Sequence, residues 1–436
     1  MKVLIISAEV WQDSTNGGNV LSNIFGGTNF EIAQIYCNPG TPQNKLCTHY
    51  YQMTDGMVIR NFLNHKPIGR AFDVQVSSAA QKEGRASAEQ PNKSFYSFFH
   101  NHRLGIFYLA RNLLWNTSNW KNEGLRKFVM DFSPDIIFAP CYGSKFMLRL
   151  TRHISEMTGK KVISYISDDS YTLKQFRISP LYWLERFSVR RQLRKTFPYY
   201  SLVYTMTETQ KEQCERDFKA NMKILLKPVP FGEIPEKKTV GTPIRLVYAG
   251  GIYLNRWKTL AAIADAIRKL NCDGVKIILD IYTGNEVSPE INKKLNDGVH
   301  SVIHGSVSQE ELCNIYHNSD IALHVESFDL KNRLAVRMSF STKIVDCLAS
   351  GCAVMAVCDE KQGGMVYLKE NDAAICVTDQ EDIDKTLRTL ADSPQRIVEY
   401  AAKAKQCCIR NHDRAVISQM ILDDFNRFCR CKQEKT

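Results

Sequence analysis

The sequence has no apolar run near the ~20 residues that a membrane-crossing helix needs. Its longest runs, 104–110 and 352–358, stop at Arg111 and Asp359. Residues 1–7 lack the long apolar region and small-residue cleavage site of a signal peptide, so the expectation is a cytoplasmic chain. No C-x-x-C pair occurs among the fourteen scattered cysteines, which argues against a zinc ribbon or a disulfide frame. Most read as small buried apolar residues. There is no G-x-x-x-x-G-K-S/T and no G-x-G-x-x-G, so the ordinary P-loop and dinucleotide fingerprints lose support. No side chains cluster at metal-ligand spacing, so a metal-independent site without a cofactor is expected. No internal repeat or low-complexity segment stands out.

What is present suggests two domains, since 436 residues exceed one ordinary core. Charge divides unevenly. Residues 1–230 hold 30 Lys+Arg against 18 Asp+Glu, whereas residues 231–436 hold 27 against 28. A basic first half suggests an anionic partner: a membrane surface, an acidic substrate or nucleic acid.

Short apolar runs at 3–7, 31–36, 136–139, 162–165, 202–205 and 223–226 alternate with helical stretches. Continuous apolar strands spaced by helices indicate a parallel sheet covered on both faces. Residues 60–130 break this rhythm as a basic, aromatic insertion with a polar piece at 77–93 and aromatics at 95–100. It reads either as a membrane-contacting surface or as a helical pair with its aromatics in the core. Residues 182–195, YWLERFSVRRQLRK, leave a similar choice between a membrane-facing cationic face and a solvated one.

Residues 231–243, in a segment rich in proline and glycine, read as a linker. A second alternation fills 244–412, with strands at 245–249, 275–282, 302–304, 322–325, 353–357 and 374–377. An amphipathic helix closes the chain within 413–436. The fold expected is α/β, two Rossmann-like parallel-sheet domains facing a cleft.

Ligands of such sheets sit beyond the carboxyl ends of strands. Gly17-Gly18, Asp168-Asp169, Gly250-Gly251 with Arg256 and Lys258, and Glu326 all follow strands. Glycines allow backbone approach to a phosphate and the cations neutralise it. Residues 322–357 read as strand, loop, helix and strand. Ser341 or Thr342 is set to cap the helix 343–349, Gly351 to close it, and its N-terminus to face an anion.

The motifs LVYAGGIYLNRWK, HGSVSQEELCNIYHNSDIALHVESFD and SFSTKIVDCLASGCAVMAV, in that order, resemble the donor domain of a family-4 type retaining glycosyltransferase of the GT-B fold, of the bacterial surface-polysaccharide kind. The resemblance spans most of 245–390. The first half is similar to the family's acceptor domain more loosely, through MKVLIIS…NGGNV, SYISDDSY and VYTMTETQKEQC.

The family's motif has two glutamates eight positions apart. Asp346 falls at the second, which implies a grip on the ribose hydroxyls. Met338 stands at the first, and Glu326, twenty positions before Asp346, is taken as the substitute that contacts the sugar. Gly251 stands where the family often has an arginine, leaving Arg256, Lys258 and Lys343 for the diphosphate. Asp168 and Asp169 lie on the acceptor side, although the family's histidine is absent before them.

The resemblance implies transfer of a sugar from a nucleotide-diphosphate-sugar to a hydroxyl acceptor with retention, in cell-surface polysaccharide or capsule assembly. The acceptor would be a carbohydrate or lipid-linked, reached at the inner membrane face through the basic first half, with nucleic acid excluded. Two alternatives stay open: a nucleotide-sugar 2-epimerase and a non-catalytic nucleotide-sugar-binding module.

Overall fold

The computed structural model describes residues 1–13, 16–74, 105–229 and 234–430. The polar and aromatic pieces at 77–93 and 95–100, part of the linker and the last six residues lie outside the described residues. The first sheet contains β1 (Lys2–Ile6), β2 (Glu31–Tyr36), β3 (His49–Gln52), β4 (Arg70–Asp73), β5 (Ile136–Pro140), β6 (Val162–Tyr165), β7 (Tyr200–Thr205) and β8 (Met222–Ile224). Their order is β4-β3-β2-β1-β5-β6-β7-β8, parallel except for the β3–β4 pair. The second sheet contains β9 (Ile244–Ala249), β10 (Ile277–Tyr282), β11 (Ser301–His304), β12 (Ile321–Val325), β13 (Ala353–Val357) and β14 (Ile375–Val377). Its order is β11-β10-β9-β12-β13-β14, all parallel.

The apolar runs become strands because both faces of each sheet are covered. Every residue of β5, β12 and β13 is buried. Strands β3 and β4 escape the sequence reading because HYYQ and RAFD are short and partly polar, and β4 is an edge strand. Within 60–130, Trp115 is buried, stacks on Phe146 at 3.6 Å and donates to Asp55 at 2.6 Å. For this ring, core packing is the outcome.

The final helix, Arg414–Arg430, returns to the first domain. Phe425 sits among Phe25, Phe30 and Phe138, and Asp424 accepts from the Tyr204 hydroxyl and pairs with Lys223 at 2.7 Å. In each sheet the order reverses beside one strand, between β1 and β5 and between β9 and β12, which opens a crevice at their carboxyl ends. The two edges face each other across one cleft. Thr207 donates to the Met338 carbonyl at 2.9 Å, Ser339 donates to Asp168 at 3.2 Å, and Lys227 pairs with Asp346 at 2.6 Å.

Candidate active site

The second sheet's crevice gathers most of the charged side chains the sequence singled out. Glu326 leaves the end of β12 and is 3% exposed. Both of its oxygens are taken by Arg256, which donates from Nε at 2.8 Å and from Nη2 at 2.7 Å. Arg256 opens the helix Arg256–Leu270, whose Thr259 donates to the Glu326 carbonyl at 2.8 Å. Burial alone would lower the guanidinium pKa, and the Glu326 carboxylate more than reverses this. The glutamate expected to touch the sugar is therefore committed to the arginine. A bidentate buried pair is the arrangement that best compensates two desolvated charges.

Lys343 lies beside this pair and is different. It makes no hydrogen bond or ion pair among the described residues. Its ammonium sits 5.8 Å from the centre of the Tyr248 ring and crosses Gly250, where a β-carbon would collide with it. With glycine there, the ammonium lies directly against the backbone that follows β9. Burial lowers the Lys343 pKa, and the Arg256 charge lowers it further. An uncompensated cation at a topological switch point is suited to an anion.

His324, one turn of strand earlier, was missed. It is buried, its Nε2 has no partner, and burial lowers its pKa to about 4. A lone histidine inside an apolar strand gives no sequence signal beyond its presence.

Asp346 is on the helix Thr342–Leu348, with one oxygen on Lys227 of the proline-rich segment. Ser341 holds the N-cap position, but its side chain makes no capping bond, and Thr342 is exposed. Gly251 accepts from the Tyr248 hydroxyl at 2.7 Å and packs under Tyr253. Lys258 points elsewhere. With Trp257, Asp265, Lys294 and Phe328 it lines a groove of about 610 Å³ that includes none of Gly250, Glu326 or Lys343.

On the first domain, Gly17 and Gly18 open the helix Asn16–Phe25 against residues 9–12; a β-carbon on Gly18 would strike the Gln12 backbone. Asp168 and Asp169 part company. Asp169 is buried, and its oxygens accept from Thr172 and Gln175 and hold Arg186 at 2.6 Å. It pins a turn rather than facing a ligand. Asp168 is exposed, and with Glu9 it lies near Tyr142, whose ring is itself partly open to solvent. Among the described residues, no group of three or more His, Cys, Asp or Glu is placed to hold a metal ion. No helix among them is long and apolar enough to cross a membrane.

Residues 276–423 match the model of a family described as glycosyl transferase-like. A comparison with curated proteins gives no match. Among solved structures, HepE of Anabaena in complex with UDP is similar at 11% identity and a TM-score of 0.62, covering 98% of this chain and 100% of that one. An E. coli structure described as trehalose-6-phosphate bound with UDP-2-fluoro glucose aligns at 12% identity and 0.59, covering 98% and 99%. Sucrose-phosphate synthase from Thermosynechococcus elongatus aligns at 10% and 0.58, covering 98% of both. At these identities the likeness is one of fold. Two mostly parallel sheets facing a cleft make this the GT-B architecture.

Proposed function

We propose that the chain transfers a sugar, with retention, from a nucleotide-diphosphate-sugar to a hydroxyl of a carbohydrate or lipid-linked acceptor. The observation that carries this reading is Lys343: a half-buried ammonium with no anion of its own, beside Gly250 and Arg256 where the sheet order reverses. The family match over 276–423 includes Glu326, Lys343 and Asp346, and the UDP in the HepE structure makes a UDP-sugar the first donor to try.

In this reading Lys343 and Arg256 stabilise the charge that develops on the leaving diphosphate. Glu326 fixes the Arg256 fork, so it is a positioning residue. Asp346 keeps one carboxylate oxygen for the ribose while Lys227 holds the other. Asp168 and Glu9 form the acceptor wall. Gly17 and Gly18 let the first helix approach that wall closely, and Lys258 stays outside the donor site. The basic first half fits an acceptor carried at an anionic membrane surface, as in cell-surface polysaccharide assembly.

The test is product analysis with a panel of nucleotide sugars, with and without lipid-diphosphate-linked acceptors. Acceptor-dependent release of nucleoside diphosphate is expected. Conversion of the donor alone would mark an epimerase, and binding without turnover a non-catalytic module.

A further inference from the structure

We infer that residues 173–179 and the outward side of the helix Pro180–Thr196 form a docking surface for an anionic lipid bilayer at the rim of the cleft. The pattern of burial there is inverted. Leu173, Phe176, Ile178, Leu181, Leu184 and Phe187 are all exposed, Ile178 by 91% and Leu184 by 63%. Along the helix, Leu181, Leu184 and Phe187 share one outward arc with Arg191, Arg194 and Lys195. The inward arc holds Val189 and Leu193, together with Arg186, which is ion-paired to Asp169. A solvated surface helix keeps its apolar residues inward. This one shows a second apolar stripe, continued by basic residues.

Charge chooses the occupant. Lys174, Arg177, Arg191, Arg194 and Lys195 are exposed, and none forms an ion pair among the described residues. The single carboxylate within the stretch, Glu185, is held by Lys145 at 2.6 Å. Apolar side chains flanked by uncompensated cations match acyl chains beneath anionic headgroups. A second copy of the chain would bring five like charges against five, which opposes self-association. Nucleic acid would leave the six apolar side chains without a partner.

The surface is also held in shape before it meets a ligand. Ser179 caps the helix, Trp183 donates to the Arg177 carbonyl at 2.9 Å, and the Arg177 guanidinium lies 5.6 Å from the Tyr182 ring centre. Tyrosine and tryptophan are the side chains that settle at the headgroup level. Its position matters too. Gln175, between Leu173 and Phe176, donates to the Leu334 carbonyl of the second domain at 3.2 Å. The patch thus adjoins the cleft. A membrane-held acceptor could enter from this side, a consequence that rests on the proposed reaction, whereas docking itself does not.

The experiment is co-sedimentation of the full chain with vesicles of phosphatidylcholine alone and of phosphatidylcholine with phosphatidylglycerol in equal parts. The wild type is expected to partition onto the anionic vesicles only. The exposed triple variant Phe176→Ser, Ile178→Ser, Leu184→Ser should lose more than about tenfold in partitioning. Arg191→Gln with Arg194→Gln should lose roughly fivefold per charge at low salt. Equal partitioning of all three proteins, or no binding to anionic vesicles, would overturn the proposal. So would a dimer in light scattering that the triple variant abolishes, because the patch would then be a protein interface. A thermal shift with a nucleotide sugar, measured on the same samples, separates the two readings. If the shift is retained without vesicle binding, only docking fails. If vesicle binding is retained without any shift, only the proposed reaction fails.

Discussion

At the scale of single residues, the site contrasts a satisfied pair with an unsatisfied cation. Arg256 and Glu326 neutralise each other out of water, so removing one strands the other. Glu326→Ala should lower unfolding free energy by about 3 kcal/mol, and adding Arg256→Met should recover part of the loss. Urea unfolding of both single variants and the double variant checks this; strictly additive losses would contradict it.

Two buried histidines set the acid response. His324 and His412 both have pKa values depressed to about 4, chiefly by burial. Because the unfolded chain binds these protons first, their contribution is fully present above about pH 6.5. It falls as pH drops and levels off near pH 4. The loss is roughly 3 kcal/mol for each residue. His324→Asn and His412→Asn should each flatten the dependence of the unfolding midpoint on pH in that window; an unchanged slope would contradict the assignment.

Glu326, Lys343 and Asp346 could be singled out from one contiguous stretch of sequence. Their partners could not. Lys227 lies in a proline-rich segment more than a hundred positions away and reads there as a linker charge. Nothing local says that Asp169 is buried and Asp168 is not.

At the scale of elements, the buried strands were legible because a strand covered on both faces is a continuous apolar run. Strands β3 and β4 were not, because each is only four residues long and β4, at the sheet edge, is largely exposed. The twelve residues from 327 to 338, read from the sequence as a loop, hold an element of their own. The helix Leu330–Val336 is capped by Asp329, and after it Met338 is fully buried against the first domain's core. Its carbonyl accepts from Thr207 and its neighbour Ser339 reaches Asp168. This segment straps one domain to the other. Met338→Ala should cost about 2–3 kcal/mol. It should also separate the two domains' unfolding transitions, followed by tryptophan fluorescence and far-UV circular dichroism. Coincident transitions at the wild-type midpoint would show that the strap carries no such load.

At the scale of the molecule, the basic excess of the first half and the exposed apolar patch on helix Pro180–Thr196 belong to one domain, and the uncompensated lysine belongs to the other. The chain passes from one to the other at the linker and returns with the final helix, and the strap adds a contact between them. That division fits an acceptor-facing half and a donor-facing half meeting over one cleft. The claim on which this rests is that Lys343 waits for the donor diphosphate. Titration calorimetry of UDP and UDP-sugars into the wild type and Lys343→Ala tests it most directly. Micromolar-range binding by the wild type, weakened at least about tenfold in the variant with its unfolding midpoint preserved, is the expected result. Equal affinity in the two proteins would contradict the account.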